Sequence, residues 1–356
     1  MKHRICLYLS LTILLAIEGY AEEGAATPPS MEEIRVDGAL PGPALWKVTR
    51  GDDPEGHAMW IAADLQLLPR SLKWKSSEIE AIVTAADEVL LMPEFDVQPS
   101  GQIGIGTGLH LLRSVLRARR NPNDRRLRDV VPQPLYEAWR EQKRIYMPRS
   151  RSVEYWRPIF AVHRLEMKAL AKLRLREEGI IWSTISKFVE RRDIRTTRPT
   201  VRIEVPANDL RHALGRFLEQ DLPDTECFDI SLQLIQQVAD GARMRARANA
   251  WATADLLALS ELDKLPEPTL PCTEAMLHST LARQFVPADL GERFAQAWTN
   301  EAERSLAMNR STVAILPFSE VVDPNGLVGI LKSKGYRVSD RTGASIAGAS
   351  IGHPPN

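Results

Sequence analysis

Short apolar runs at both ends of the chain bracket a long amphipathic middle. Residues 45–48, 59–67 and 88–92 are brief and apolar, as strands are, and the unbroken run 89–92 predicts a strand covered on both faces. Residues 313–316 repeat that pattern near the other end. Between the first strands, Ser76 or Ser77 caps a predicted helix through Glu78, Ile79, Ile82 and Ala85, whose apolar members recur at helical spacing. From Pro134 to Ala258 the spacing is mostly helical, with Trp139, Ile145, Phe160, Leu165 and Leu170 marking buried faces among Arg, Lys and Glu. Residues 200–205 break it: Val201, Ile203 and Val205 alternate with Arg202 and Glu204, a strand with one polar face. Further helices are predicted over 209–218, 230–258 and 274–307. The fold class expected is α/β: a central mixed sheet built from the N- and C-terminal parts of the chain, with a large helical insertion over about 108–308.

The two ends read differently from this body. Lys2 and Arg4 precede about 13 apolar residues and then Gly19-Tyr20-Ala21, the pattern of a secretory signal peptide over 1–21. Such a run is too short for a bilayer core of roughly 30 Å, so no transmembrane segment is expected after cleavage. Residues 22–42 form a Pro-, Gly- and Ala-rich lead-in, 43–340 a single domain, and 341–356 a loose tail. The expected location is periplasmic or secreted.

Composition narrows the picture only a little. With 44% hydrophobic and 26% charged residues the chain can bury a sizeable core, and its net charge of zero argues against a nucleic-acid binder. Cleavage would leave two cysteines, Cys227 and Cys272, for which an oxidising compartment permits a disulfide. Gly101, Gly104, Gly106 and Gly108 match neither G-x-G-x-x-G nor a P-loop and read as a loop. His57, His110, His163, His212 and His278 are scattered without metal-ligand spacing, and no G-x-S-x-G elbow supports serine catalysis.

One set of motifs does point to a chemistry. Leu45-Trp46-Lys47 is followed by a strand ending in Ala63-Asp64-Leu65-Gln66, then Leu67-Leu68-Pro69, Trp74, and a strand ending near Met92. Near the far end, Val313-Ala314-Ile315-Leu316-Pro317-Phe318-Ser319 leads to Gly326 and then Gly335-Tyr336-Arg337-Val338. Arg157-Pro158, Ile203-Glu204-Val205 and Trp251-Ala252-Thr253-Ala254-Asp255-Leu256 fall between them. In this order the landmarks resemble the TraB/GumN family, which includes the TIKI-type metalloproteases. The resemblance covers roughly residues 43–340 and implies two Gly-x-x-His motifs and a strand-terminal Glu around a divalent metal, which would acidify a bound water to about pH 7. Here those slots hold Ala63 and Gln66, Met92, and Leu316 and Ser319. No glycine in the chain has a histidine three residues later. The family's Trp-x-x-Gly-Asp-Leu also carries Ala254 in place of glycine.

The resemblance therefore implies a frame without its ligands, and no cofactor is expected. The function expected is that of an exported, catalytically inactive member that binds an envelope protein, peptide or polysaccharide. A divergent hydrolase using a divalent metal such as manganese or zinc, held by Glu94, Glu204 and Glu320, is the alternative; on a continuous strand Glu94 would share a face with Met92. An adaptor for a catalytic relative is a third reading. Arg113, Arg117, Arg119, Arg120, Arg125, Arg126 and Arg128 cluster locally as a candidate anion-binding surface, without interleaved aromatics.

Overall fold

The computed structural model describes residues 42–51, 56–100, 119–206, 224–262 and 287–340. The expected signal peptide and tail, the glycine stretch, the 209–218 helix, His110, His212, His278, Cys272, Arg113 and Arg117 lie outside these residues. Among the described residues no helix is long and apolar enough to cross a membrane.

The apolar runs become the strands β1 (Leu45–Thr49), β2 (Ala58–Asp64), β3 (Glu88–Leu90) and β7 (Ser311–Pro317). A six-stranded mixed sheet has the order β5-β3-β7-β2-β1-β8, with β5 at Arg195–Thr197 and β8 at Arg337–Asp340. The strands β2, β7, β3 and β5 run parallel, and β1 is antiparallel to both β2 and β8. β7, with its five central residues buried, lies between β2 and β3, so the chain's two ends meet at the middle of the sheet. β5 is the exception to the expected origin. It comes from the helical middle, and its polar Arg-Thr-Thr sequence suits an edge.

Residues 200–205 do form a strand, β6 (Thr200–Pro206), but in a second sheet. It pairs in parallel with β4 (Glu94–Ser100). β3 and β4 are not one continuous strand, because Pro93 has no N–H for a ladder and constrains Met92 before it. The shared face expected for Met92 and Glu94 is therefore absent.

The helices α1 (Ser77–Thr84), α2 (Gln133–Tyr146), α3 (Pro158–Lys172), α4 (Ile180–Arg191) and α5 (Asp224–Val238) follow the predicted spacing. A continuous helix over 230–258 does not occur. The segment divides into α5, α6 (Gly241–Ala252) and α7 (Leu256–Leu262). Asp240 causes the first break: its carboxylate accepts from the N–H groups of Ala242 and Arg243 and starts α6 afresh. Ala254, at φ 56°, causes the second by leaving helical geometry. The chain closes with α8 (Leu290–Met308), α9 (Phe318–Val322) and α10 (Leu327–Ser333).

Among the described residues the apolar core falls into two large clusters and a small third one of Val201, Ile203 and Leu290, between β6 and α8. Of the large two, one surrounds the six-stranded sheet and includes Trp46, Val89, Trp251, Trp298 and Leu316. The other joins α2, α3 and α5 through Trp139, Leu165, Phe228 and Leu232. Cys227 is buried in the latter and is disulfide-bonded.

Candidate functional site

The carboxyl ends of parallel strands are where an open sheet leaves room for a ligand. In the β2–β7 register Ala63 faces Leu316 and Asp64 faces Pro317, and both strands then end. Beyond them lies a cavity of about 510 Å³. Gln66, Met92 and Ser319 all line it, as do Asp64 and Leu316. Ala63 is buried beside Leu316 in the sheet. Residues about 250 positions apart in the sequence are thus brought to one place.

The turn after β2 is held from outside by α6. Trp251 donates its indole N–H to the Ala63 carbonyl at 3.0 Å, and Arg247, one turn earlier, donates from Nη1 to the Gln66 carbonyl at 2.7 Å. Arg247 is 3% exposed and also lines the cavity. Leu67 then adopts φ 56°, an uncommon conformation for a branched residue, and its N–H donates to the Arg176 carbonyl. Nothing about Trp251 or Arg247 alone in the sequence announces this bracing, although the landmark around Trp251 marked the segment.

Asp64 is the chemical feature that motif reading passed over. It is half-buried, and its carboxylate accepts from the backbone N–H groups of Leu65 at 2.9 Å and Ile181 at 3.1 Å, so it caps the start of α4. Gly179 permits this approach, since a Cβ there would fall 2.0 Å from the carboxylate. Withdrawal from water pushes the Asp64 carboxyl up from 3.8 to about 6, and the backbone N–H groups of α4 pull the other way without overcoming it.

The proposed carboxylate substitutes are not brought together. Glu94 is exposed on β4 and lies 3.6 Å from Arg198. Glu204 is opposite Gln98, four residues along the β4–β6 pair from Glu94, or roughly 13 Å at the rise of a strand. Glu320 accepts from the Leu327 N–H at the start of α10. None of the three lines the cavity.

The cavity wall does not fit a divalent metal. Its acids are Asp64, whose Oδ1 already accepts from two backbone donors, and the exposed Glu178; Gln66 and Ser319 are neutral. The guanidinium groups of Arg198 and Arg247 share the wall, and a guanidinium only donates. Among the described residues no group of three or more His, Cys, Asp or Glu is placed to hold a metal.

Other polar clusters lie elsewhere. Glu88, fully buried at the opposite end of β3, accepts from Thr197, Arg195, Ser305 and Asn309. Burial alone would raise its carboxyl, but those hydrogen bonds and the Arg195 charge hold it below the usual value. Glu166, buried on α3, is pushed up to about 7 by burial despite a hydrogen bond with Ser231. His163 is half-buried on α3, and burial with the Arg164 charge lowers its imidazole.

The arginine cluster is built rather than loose. Asn121 is buried and donates to the carbonyls of Arg125 and Trp156, fixing the segment against residues 152–157. Aromatic faces are present after all: Arg119 stacks 4.1 Å from the Trp156 ring, and Arg120 and Arg126 lie over Tyr155. They come from another part of the chain, so no local window contains them. Arg120 also pairs with Asp124, Arg128 with Asp129, and Arg125 donates to the Asp129 carbonyl.

The model of the TraB/PrgY/gumN family matches residues 44–340. No curated protein and no solved structure matches the chain.

Proposed function

Because the chain belongs to the TraB/PrgY/gumN family, we propose that it keeps that family's frame and acts by binding at the cavity, without metal-dependent hydrolysis. It is exported through residues 1–21 and meets its partner in the cell envelope. One observation carries this reading: Gln66, Met92 and Ser319, the slots in which the resemblance implies metal ligands, line a single cavity whose side chains suit a ligand better than a metal. A donor-rich, largely apolar concavity of several hundred Å³ is the usual form of a small-ligand site.

The test is the metal content of the protein purified without chelator, measured by elemental mass spectrometry beside a Glu94→Ala variant. Substoichiometric metal in both is expected. About one equivalent of manganese or zinc, lost on Glu94→Ala, would sink the proposal and revive the hydrolase. A companion variant restores the slots with Ala63→Gly, Gln66→His, Met92→Glu, Leu316→Gly and Ser319→His. It is expected to acquire metal that the parent lacks.

A further inference from the structure

We infer that the cavity takes an amphiphile with an anionic head and an apolar body, the head resting on the guanidinium of Arg198. The inference rests on the reading of the cavity as a binding site and names the class of ligand.

The argument is an inventory of what a ligand would meet. Leu91, Met92, Trp182, Ile315 and Phe318 supply apolar and aromatic surface. Such a wall gains from burying hydrocarbon. The charged groups are not equally available. Asp64 has its Oδ1 held by the backbone N–H groups of Leu65 and Ile181, and Gly179 packs against its Oδ2. Glu178 is exposed.

The two arginines are donors only, and a donor in a cavity wall selects an acceptor, best a charged one. Arg198 reaches the wall beside Met92, whose carbonyl accepts from its Nη1 at 3.3 Å. Its other contact, 3.6 Å to Glu94, is an exposed pair of the kind that water and salt weaken. Arg247 stands on the other flank, at the end of β2. The strands β3 and β2 lie on either side of β7, so these flanks are about 10 Å apart. Arg247, buried and bonded to the Gln66 carbonyl, is fixed on one flank, and the exposed Arg198 adds a second cation on the other, so an anionic head is the complementary one.

Calorimetric titration of the full-length mature protein with decanoate, decylammonium and decan-1-ol tests this directly. Decanoate is expected to bind most tightly. Arg198→Gln is expected to weaken it about tenfold, the usual effect of losing one charge-assisted contact. Met92→Trp, which fills the cavity, is expected to abolish binding, with thermal melts checking that both variants fold. If decylammonium or decanol binds as tightly as decanoate, or Arg198→Gln leaves decanoate unchanged, the anionic class is overturned while a Met92→Trp-sensitive site survives. If none of the three binds, this inference is overturned, whereas the wider proposal of a non-hydrolytic binder stands or falls on the metal measurement.

Discussion

Replacing Asp64 with Asn probes the charge at the lip of the cavity. The folded protein raises this carboxyl from 3.8 to about 6, so the fold binds its proton more tightly than the unfolded chain does. The sign follows: the contribution to stability is fully present below pH 3.8 and is lost as the pH rises through about 6. A separation of about two units corresponds to about 3 kcal/mol in full. That figure is a ceiling, because the half-buried carboxylate opens on a cavity that admits water. By the linkage relation about 1.4 kcal/mol of it falls between pH 5 and pH 8. Asparagine keeps an oxygen for the N–H groups of Leu65 and Ile181 and never ionises. Urea unfolding of both proteins at the two pH values should show the variant gaining up to about 1.4 kcal/mol on the parent as the pH rises. Taking the difference removes Glu166, which loses stability in an overlapping range because its carboxyl lies near 7. A difference between the two proteins that is the same at both pH values would refute the argument that the fold withdraws this charge from water.

Three further substitutions test the frame by urea or thermal unfolding. Gly179→Ala forces a Cβ to within 2.0 Å of the Asp64 carboxylate and should cost about 1–3 kcal/mol, while an unchanged midpoint would show that the α4 start moves freely. Ala254→Gly removes the penalty of a left-handed alanine after α6, roughly 1–2 kcal/mol, against the added freedom of glycine in the unfolded chain, so a net gain of up to about 1 kcal/mol is expected. Lower stability in that variant would overturn the backbone account. Glu88→Ala strands Arg195, Ser305 and Asn309 at the start of β3 and should cost about 3–5 kcal/mol at neutral pH, with a loss below 1 kcal/mol contradicting the buried network.

How much of this was legible depended on whether the cause lay within one stretch of chain. The run at 313–316 announced its strand because both faces are covered and every position is apolar, and those at 45–48 and 59–67 did so because apolar residues predominate in them. The β4–β6 pair was half hidden. Its two strands are over a hundred residues apart, and Glu-Phe-Asp-Val-Gln-Pro-Ser carries charges and a proline that mask the strand. The breaks in 230–258 turned on single residues, Asp240 as a cap and Ala254 in a left-handed turn, which a helical period counted over a window does not weigh. In the cavity, the positions of Gln66, Met92 and Ser319 followed from the resemblance. The roles of Asp64, Arg198 and Arg247 did not, since each depends on a partner or neighbour brought close only by folding.

The arrangement also shows what holds the mouth of the cavity in shape. The backbone from Ala63 to Gln66 does not depend on the side chain at position 66. It is held by β7 on one side and, through Trp251 and Arg247, by two donors one turn apart on α6. The end of β7 is fixed in turn by α9 and α10, where Glu320 caps the helix that follows. These braces reach backbone carbonyls and N–H groups rather than the side chains of Gln66 and Met92. On the binding reading, the cavity's character is set by what remains in its wall, chiefly the two arginines and the apolar floor between them.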